Sequence, residues 1–219
     1  MNSDKWNKYI RIDRIQNEGH GMNFKERVRD LDFISNFVKI QNTKILDVGC
    51  ETGQIIKYLK DKFSCDVTGI TERIYEVNPD IKLGDMHELP FENNIFDIVF
   101  IMHTLEHSIA PYIVLSEINR VLKKDGIIVC ILPEEGCQST SDHQHFSVMT
   151  FRQIFNLLHK TNFEPVLSLR KELKITYSEI RRDIITIWKK VNSINDWDII
   201  TTLVLGVCLS NDGTIRYTA

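Results

Sequence analysis

The chain has 219 residues, of which 42% are hydrophobic and 26% charged, and its formal net charge is −3. That length suits one domain with a sizeable core, and the small net charge, without any lysine/arginine block, weighs against nucleic acid or an acidic membrane surface as partner. No apolar run reaches the length of a membrane span, the opening MNSDKWNKYIRIDR is too polar for a secretory signal, and five scattered cysteines (Cys50, Cys65, Cys130, Cys137, Cys208) lack metal-type spacing and read as reduced thiols of a cytoplasmic protein.

In chain order, Asn23 to Ile40 places Phe24, Val28, Leu31, Ile34 and Val38 at roughly helical spacing and is expected to form an amphipathic leading helix. Lys44 to Cys50 is the first strand, and Gln54 to Phe63 a helix with Ile55, Ile56 and Leu59 on one face. Cys65 to Ile70 is the second strand. Arg73 to Asn78 leaves room only for a short helix before Pro79, and Ile81 to Leu83 is a short third strand. Phe96 to Met102 is the fourth strand, Pro111 to Leu122 a helix with proline in its first turn, and Gly126 to Leu132 the fifth strand. Thr150 to Lys160 follows as a helix. Phe163 to Leu169 and Thr202 to Leu209 are expected to be two further strands, separated by a charged helical insert from Ser178 to about Asn192.

Strand alternating with helix predicts an α/β, doubly wound, mainly parallel seven-stranded sheet in a single domain. Its expected parts are an N-terminal helical cap (1–40), a core (44–173), the helical insert (174–198), and a last strand with tail (199–219).

The most telling stretch is KILDVGCETG, Lys44 to Gly53. A buried apolar strand (Ile45, Leu46, Val48) runs into a turn bracketed by Gly49 and Gly53 and then into a helix. Glycines at the carboxyl end of such a strand let the backbone approach a nucleotide-like ligand, and the next helix offers amide hydrogens to its polar groups.

Motifs downstream give that turn a family context. ILDVGCETG, LGDMHELPF, FDIVFIMHTLEH and EINRVLKKDGIIVCILPE occur in that order, and together they resemble the class I S-adenosylmethionine-dependent methyltransferases from about Lys44 to Phe163. The type 11, small-molecule O-methyltransferases are the nearest in pattern. The resemblance implies a Rossmann-like fold and S-adenosylmethionine as cofactor. It also implies that Asp47 orders the turn near the methionine amino group, with Gly49, Cys50, Glu51 and Gly53 lining it. Asp85, Met86 and His87 would frame the adenine, with Met102 and His103 at the end of the fourth strand. Two positions depart from the pattern. The middle of the glycine turn is Glu51, which adds a negative side chain and a strain cost if the turn needs positive φ. At the end of the second strand Thr71 replaces the acidic residue expected on the ribose, leaving Glu72, one residue on, as the ribose ligand.

Methyl transfer to oxygen, nitrogen or carbon needs positioning, and a base where the nucleophile carries a proton. Imidazole titrates near physiological pH and suits that task. His107, His143 and His145 are the candidate catalytic residues, since ligands in open α/β sheets bind beyond the carboxyl ends of the strands. The HTLEH run also resembles the EVLEH run of ubiquinone-pathway O-methyltransferases. As a helical turn it would put His103, Glu106 and His107 on one face, a set suited to zinc or iron with His143 or His145 completing it; pocket lining without metal is the competing reading.

Substrate choice is expected to lie with the leading segment (Trp6, Tyr9, His20, Met22) and with the insert, for which lid, homodimer contact and simple packing all stay open. The expected function is methyl transfer to a small molecule, most plausibly at a hydroxyl oxygen. The alternatives are a non-catalytic cofactor-binding protein, and a dinucleotide oxidoreductase, which the missing GxGxxG spacing disfavours.

Overall fold

The computed structural model describes residues 24–73, 77–135, 143–174, 180–192, 206–209 and 215–218. It divides into two units, residues 1–37 and 38–219. In the first, helix α1 (Phe24–Ile34) stops six residues short of the expected Ile40. The side chains of Ser35 and Asn36 bond back to the carbonyls of Asp32 and Phe33, capping the last turn in place of further helical amides. The cap residues Trp6, Tyr9, His20 and Met22 lie outside the described residues.

The second unit is built on a seven-stranded sheet of β1 (Lys44–Val48), β2 (Asp66–Thr71), β3 (Ile81–Leu83), β4 (Phe96–Met102), β5 (Leu122–Pro133), β6 (Phe163–Lys174) and β7 (Ile180–Lys190). Their spatial order is β3-β2-β1-β4-β5-β7-β6. The pairs on the β3 side through β5 are parallel, and β7 runs antiparallel to both β5 and β6. The order reverses between β1 and β4, and a ligand crevice is expected at such a reversal.

Helices α2 (Gln54–Phe63), α3 (Pro111–Val121) and α4 (Phe151–Lys160) lie where the apolar spacing placed them. α2 buries Ile55, Ile56 and Leu59, and α3 buries Val114, Leu115, Ile118 and Val121. Thr150 is the N-cap of α4, closing a capping box with Gln153. β1 and β4 are buried on both faces, as continuous apolar runs in a parallel sheet require. The short helix expected over Arg73 to Asn78 is not borne out at its ends, where residues 73, 77 and 78 are not helical, and its middle, residues 74–76, lies outside the described residues.

The helical insert is corrected: residues 180–190 form β7, a strand between β5 and β6. Ile184, Ile185, Ile187 and Trp188 are all fully buried. A helix has one stripe to bury, whereas a strand sends neighbours to opposite faces, so Ile184 beside Ile185, and Ile187 beside Trp188, need cover on both sides. The β-branched run Ile184-Ile185-Thr186-Ile187 favours the same outcome. The expected last strand is corrected with it. Gly206–Leu209 is β8, which pairs with β9 (Ile215–Thr218) in a separate two-stranded antiparallel sheet.

Candidate cofactor and acceptor site

The turn after β1 is held in left-handed backbone. φ is +80° at Gly49, +50° at Glu51 and +78° at Gly53. The amides of Gly49 and Cys50 both donate to Ile70 O of β2, and Gly53 N donates to Cys50 O, so the loop is locked against the neighbouring strand. A Cβ on Gly49 would lie 2.1 Å from Thr104 Oγ1; only glycine fits beneath the chain that leaves β4. Gly53 is the N-cap of α2 and supplies no side-chain cap. Asp47, at the end of β1, is buried. Glu51 is exposed, and its left-handed backbone is one that an L-residue adopts only at a cost. Burial, reinforced by the negative charge of Asp47, pushes the Cys50 thiol up to about 12, which keeps it protonated and unreactive.

On the β3 side, Asp85 Oδ1 accepts from the backbone N–H of His87 at 2.8 Å and from its Nδ1 at 2.7 Å. Burial raises the Asp85 carboxyl, but these His87 bonds outweigh it and hold the group below its ordinary range. A carboxylate only accepts, so Nδ1 is the donor to Asp85; Nε2 lies 2.8 Å from the Ser108 hydroxyl, and Ser108 Oγ accepts from Ala110 N–H. A continuous chain of bonds therefore ties the expected adenine loop to the turn beyond β4. Met86 beside it is half-buried. Glu72 stands exposed one residue past β2, while the buried Thr71 ends the strand and its hydroxyl accepts from Arg73 N–H.

Beyond β4 the expected helical turn takes a different form. Met102 is buried at the strand end, His103 sits at φ +51°, and only Leu105–His107 form a short 3-10 turn. His103 and His107 therefore do not share a helical face. His103 lies between two buried carboxylates, with Nδ1 3.6 Å from Glu106 and Nε2 3.8 Å from Asp183. In place of the expected His103–Glu106–His107 set, the fold brings together Glu106, His107 and His145, with one ligating atom of each within 4.8 Å of the others. The rings of His107 and His145 meet edge to face at 4.7 Å between centroids. Two bonds fasten the incoming segment: Ser147 N donates to Glu106 O and Ser147 Oγ to Ser108 O. His143 is exposed on the same segment. Burial raises the Glu106 carboxyl, yet the hydrogen bond from the adjacent His103 holds it below its ordinary range.

Sequence reasoning missed Thr104, Ser108 and Asp183. An aspartate inside the isoleucine run of β7 was the available sign for Asp183, hidden by the helical reading of that segment. Thr104 and Ser108 carried no sign, because their contacts with Gly49 and His87 are long-range.

Residues 46–130 match the family described as a methyltransferase domain. Over that stretch the chain is similar to methyltransferases, in keeping with the class I S-adenosylmethionine-dependent pattern that its motifs resemble. Among individual proteins, it is 39% identical over 104 residues to the demethylmenaquinone methyltransferase of Staphylococcus aureus, an alignment covering 42% of this chain. The chain thus spans 43% of the length of the curated relatives it matches. Its fold is also that of a SAM-dependent methyltransferase from Methanosarcina mazei (TM-score 0.59, 18% identity, 73% of this chain and 97% of that one). The [4+2]-cyclase SpnF shares it as well (TM-score 0.64, 19% identity, 80% and 85%). Among the described residues no helix is long and apolar enough to cross a membrane.

Proposed function

We propose that this protein transfers the methyl group of S-adenosylmethionine to a hydroxyl oxygen of a small-molecule acceptor in the cytoplasm. Asp47 faces the methionine amino group, Gly49, Cys50, Glu51 and Gly53 line the turn, and Glu72 takes the ribose. Asp85, with Oδ1 committed to His87, offers Oδ2 to the adenine amine while Met86 covers the base. Met102 and His103 close the cofactor's other side. The acceptor oxygen attacks the methyl carbon, the C–O bond forms as the C–S bond breaks, and sulfur keeps the electron pair. The hydroxyl proton passes to one of His107, His143 and His145.

The observation that carries this reading is the edge-to-face imidazole pair of His107 and His145, set one short turn beyond the strand whose exit packs on Gly49. The S. aureus relative, a demethylmenaquinone methyltransferase, favours a second acceptor atom, a ring carbon of a quinol. The test is incubation of the purified chain with methyl-labelled S-adenosylmethionine and a panel of phenols, quinols and hydroxylated acids, following release of S-adenosylhomocysteine and the position of the label. Label on oxygen supports the proposal, and label on ring carbon replaces it with the second reading. Cofactor binding by calorimetry without turnover on any acceptor would leave a binding protein on this fold.

A further inference from the structure

We infer that Glu106, His107 and His145 form a binding site for one divalent cation of the zinc class, placed to hold the acceptor's oxygen. The inference rests on the proposed methyl-transfer reading for its role, but the site itself stands on geometry. The three side chains come from two separate segments, the 3-10 turn after β4 and residues 143–147, and converge within 4.8 Å. Glu106 is 2% exposed, and its Oε2 is a buried oxygen with no hydrogen-bond donor among the described residues. A carboxylate oxygen buried in that state is costly unless a cation completes it.

The His107 ring is also prepared for ligation. His107 Nδ1 lies 3.0 Å from Gln144 O; a carbonyl only accepts, so Nδ1 carries the proton and Nε2 keeps its lone pair. This is the backbone-carbonyl support that metal-bound histidines use to fix their tautomer. Two imidazoles and one carboxylate favour zinc or a similar borderline ion over magnesium or calcium, which take oxygen ligands. Ligands about 2.1 Å from a tetrahedral ion sit roughly 3.4 Å apart, so binding would draw His145 inward from its present position. His145 belongs to a segment pinned at Ser147, close enough to be held and short enough to move.

Three protein ligands leave a fourth position open, the arrangement of a cation that receives substrate. An acceptor hydroxyl bound there loses its proton to water more readily, and its oxygen then attacks the methyl carbon as the sulfonium C–S bond breaks with the pair on sulfur. His107 and His145 are thereby ligands, and the cation takes over their share of activating the hydroxyl.

The test uses the full chain, stripped with chelator and titrated with cobalt(II) as probe, reading visible absorption and stoichiometry, with zinc competition by calorimetry. One ion per chain with tetrahedral cobalt bands is expected, and H107A, H145A and E106Q should each weaken binding at least tenfold. Cofactor affinity, measured on the same samples, reports folding and the methyl-donor site separately. Failure to bind cobalt by a chain that binds S-adenosylmethionine overturns the cation site and leaves methyl transfer intact. Cobalt binding unchanged by H107A and H145A also overturns it, since the ion would then lie elsewhere.

Discussion

At the scale of single residues, the tightest constraint is Gly49. Its φ of +80° and the Thr104 side chain over its missing Cβ make two separate penalties. Left-handed backbone costs an L-residue roughly 1–2 kcal/mol, and the collision with Thr104 adds to it. Gly49→Ala should lower stability by at least that much in urea melts and abolish measurable cofactor binding. Adding Thr104→Ala should recover part of the collision, since Oγ1 and Cγ2 go while the Thr104 Cβ stays 2.9 Å from the added methyl, and should leave the backbone cost. Glu51 shows the other side of the same rule. It is exposed and sits at φ +50°, a conformation that glycine adopts without strain, so Glu51→Gly should leave the fold intact. His87 acts through bonds on both of its nitrogens, to Asp85 and to Ser108. His87→Ala should weaken S-adenosylmethionine binding about tenfold in calorimetry by releasing Asp85, whereas Ser108→Ala, which cuts one bond of the chain, should cost less.

At the scale of elements, β7 is buried through its middle, with Ile184, Ile185, Ile187 and Trp188 all fully covered. Trp188 is fully buried, meets Phe155 of α4 edge to face at 4.7 Å, and donates from its indole nitrogen to Thr186. Trp188→Ala should cost about 3–5 kcal/mol in chemical denaturation, the range for truncating a buried aromatic side chain. Helix α3 holds the loop that follows β3 by a different means. Arg120 donates to the carbonyls of Leu89 and Phe91 and to Glu117, and Glu117 accepts from Leu89 N–H. The Arg120 hydrogen bond is the main reason the Glu117 carboxyl stays below its ordinary range. A carboxylate depressed in the folded state stabilises it above the unfolded value, near ~4.3 for glutamate, and that stability is lost as pH falls through the folded value. Urea midpoints should therefore fall from pH 6 to pH 3, and Glu117→Gln should flatten that dependence in proportion to this one group.

At the scale of the whole molecule, the described core is continuous across the sheet, so a ligand bound at the switch between β1 and β4 should stabilise it cooperatively. Under the proposed function, S-adenosylmethionine at a hundred times its dissociation constant should raise stability by about 2.7 kcal/mol, seen as an upward shift in thermal midpoint. Unchanged melting at saturating cofactor would count against that function. The five parallel strands from Lys44 to Pro133, the helices at Gln54–Phe63, Pro111–Val121 and Phe151–Lys160, the glycine turn and the approximate burial of each face were readable in the residues. They rest on local periodicity and on turn chemistry that no partner has to supply. β7 was not readable in this way, because its apolar run satisfies a helical stripe as well as a strand, and only β5 and β6 on either side decide between them. The same holds for the site: the sequence placed histidines after β4 and β5, but that His145, rather than His103, would join Glu106 and His107 depended on a 3-10 turn and on bonds from Ser147 and Gln144. Pattern fixes what each segment buries, and long-range pairing fixes which side chains meet, since that depends on loop paths and register that a single segment does not encode.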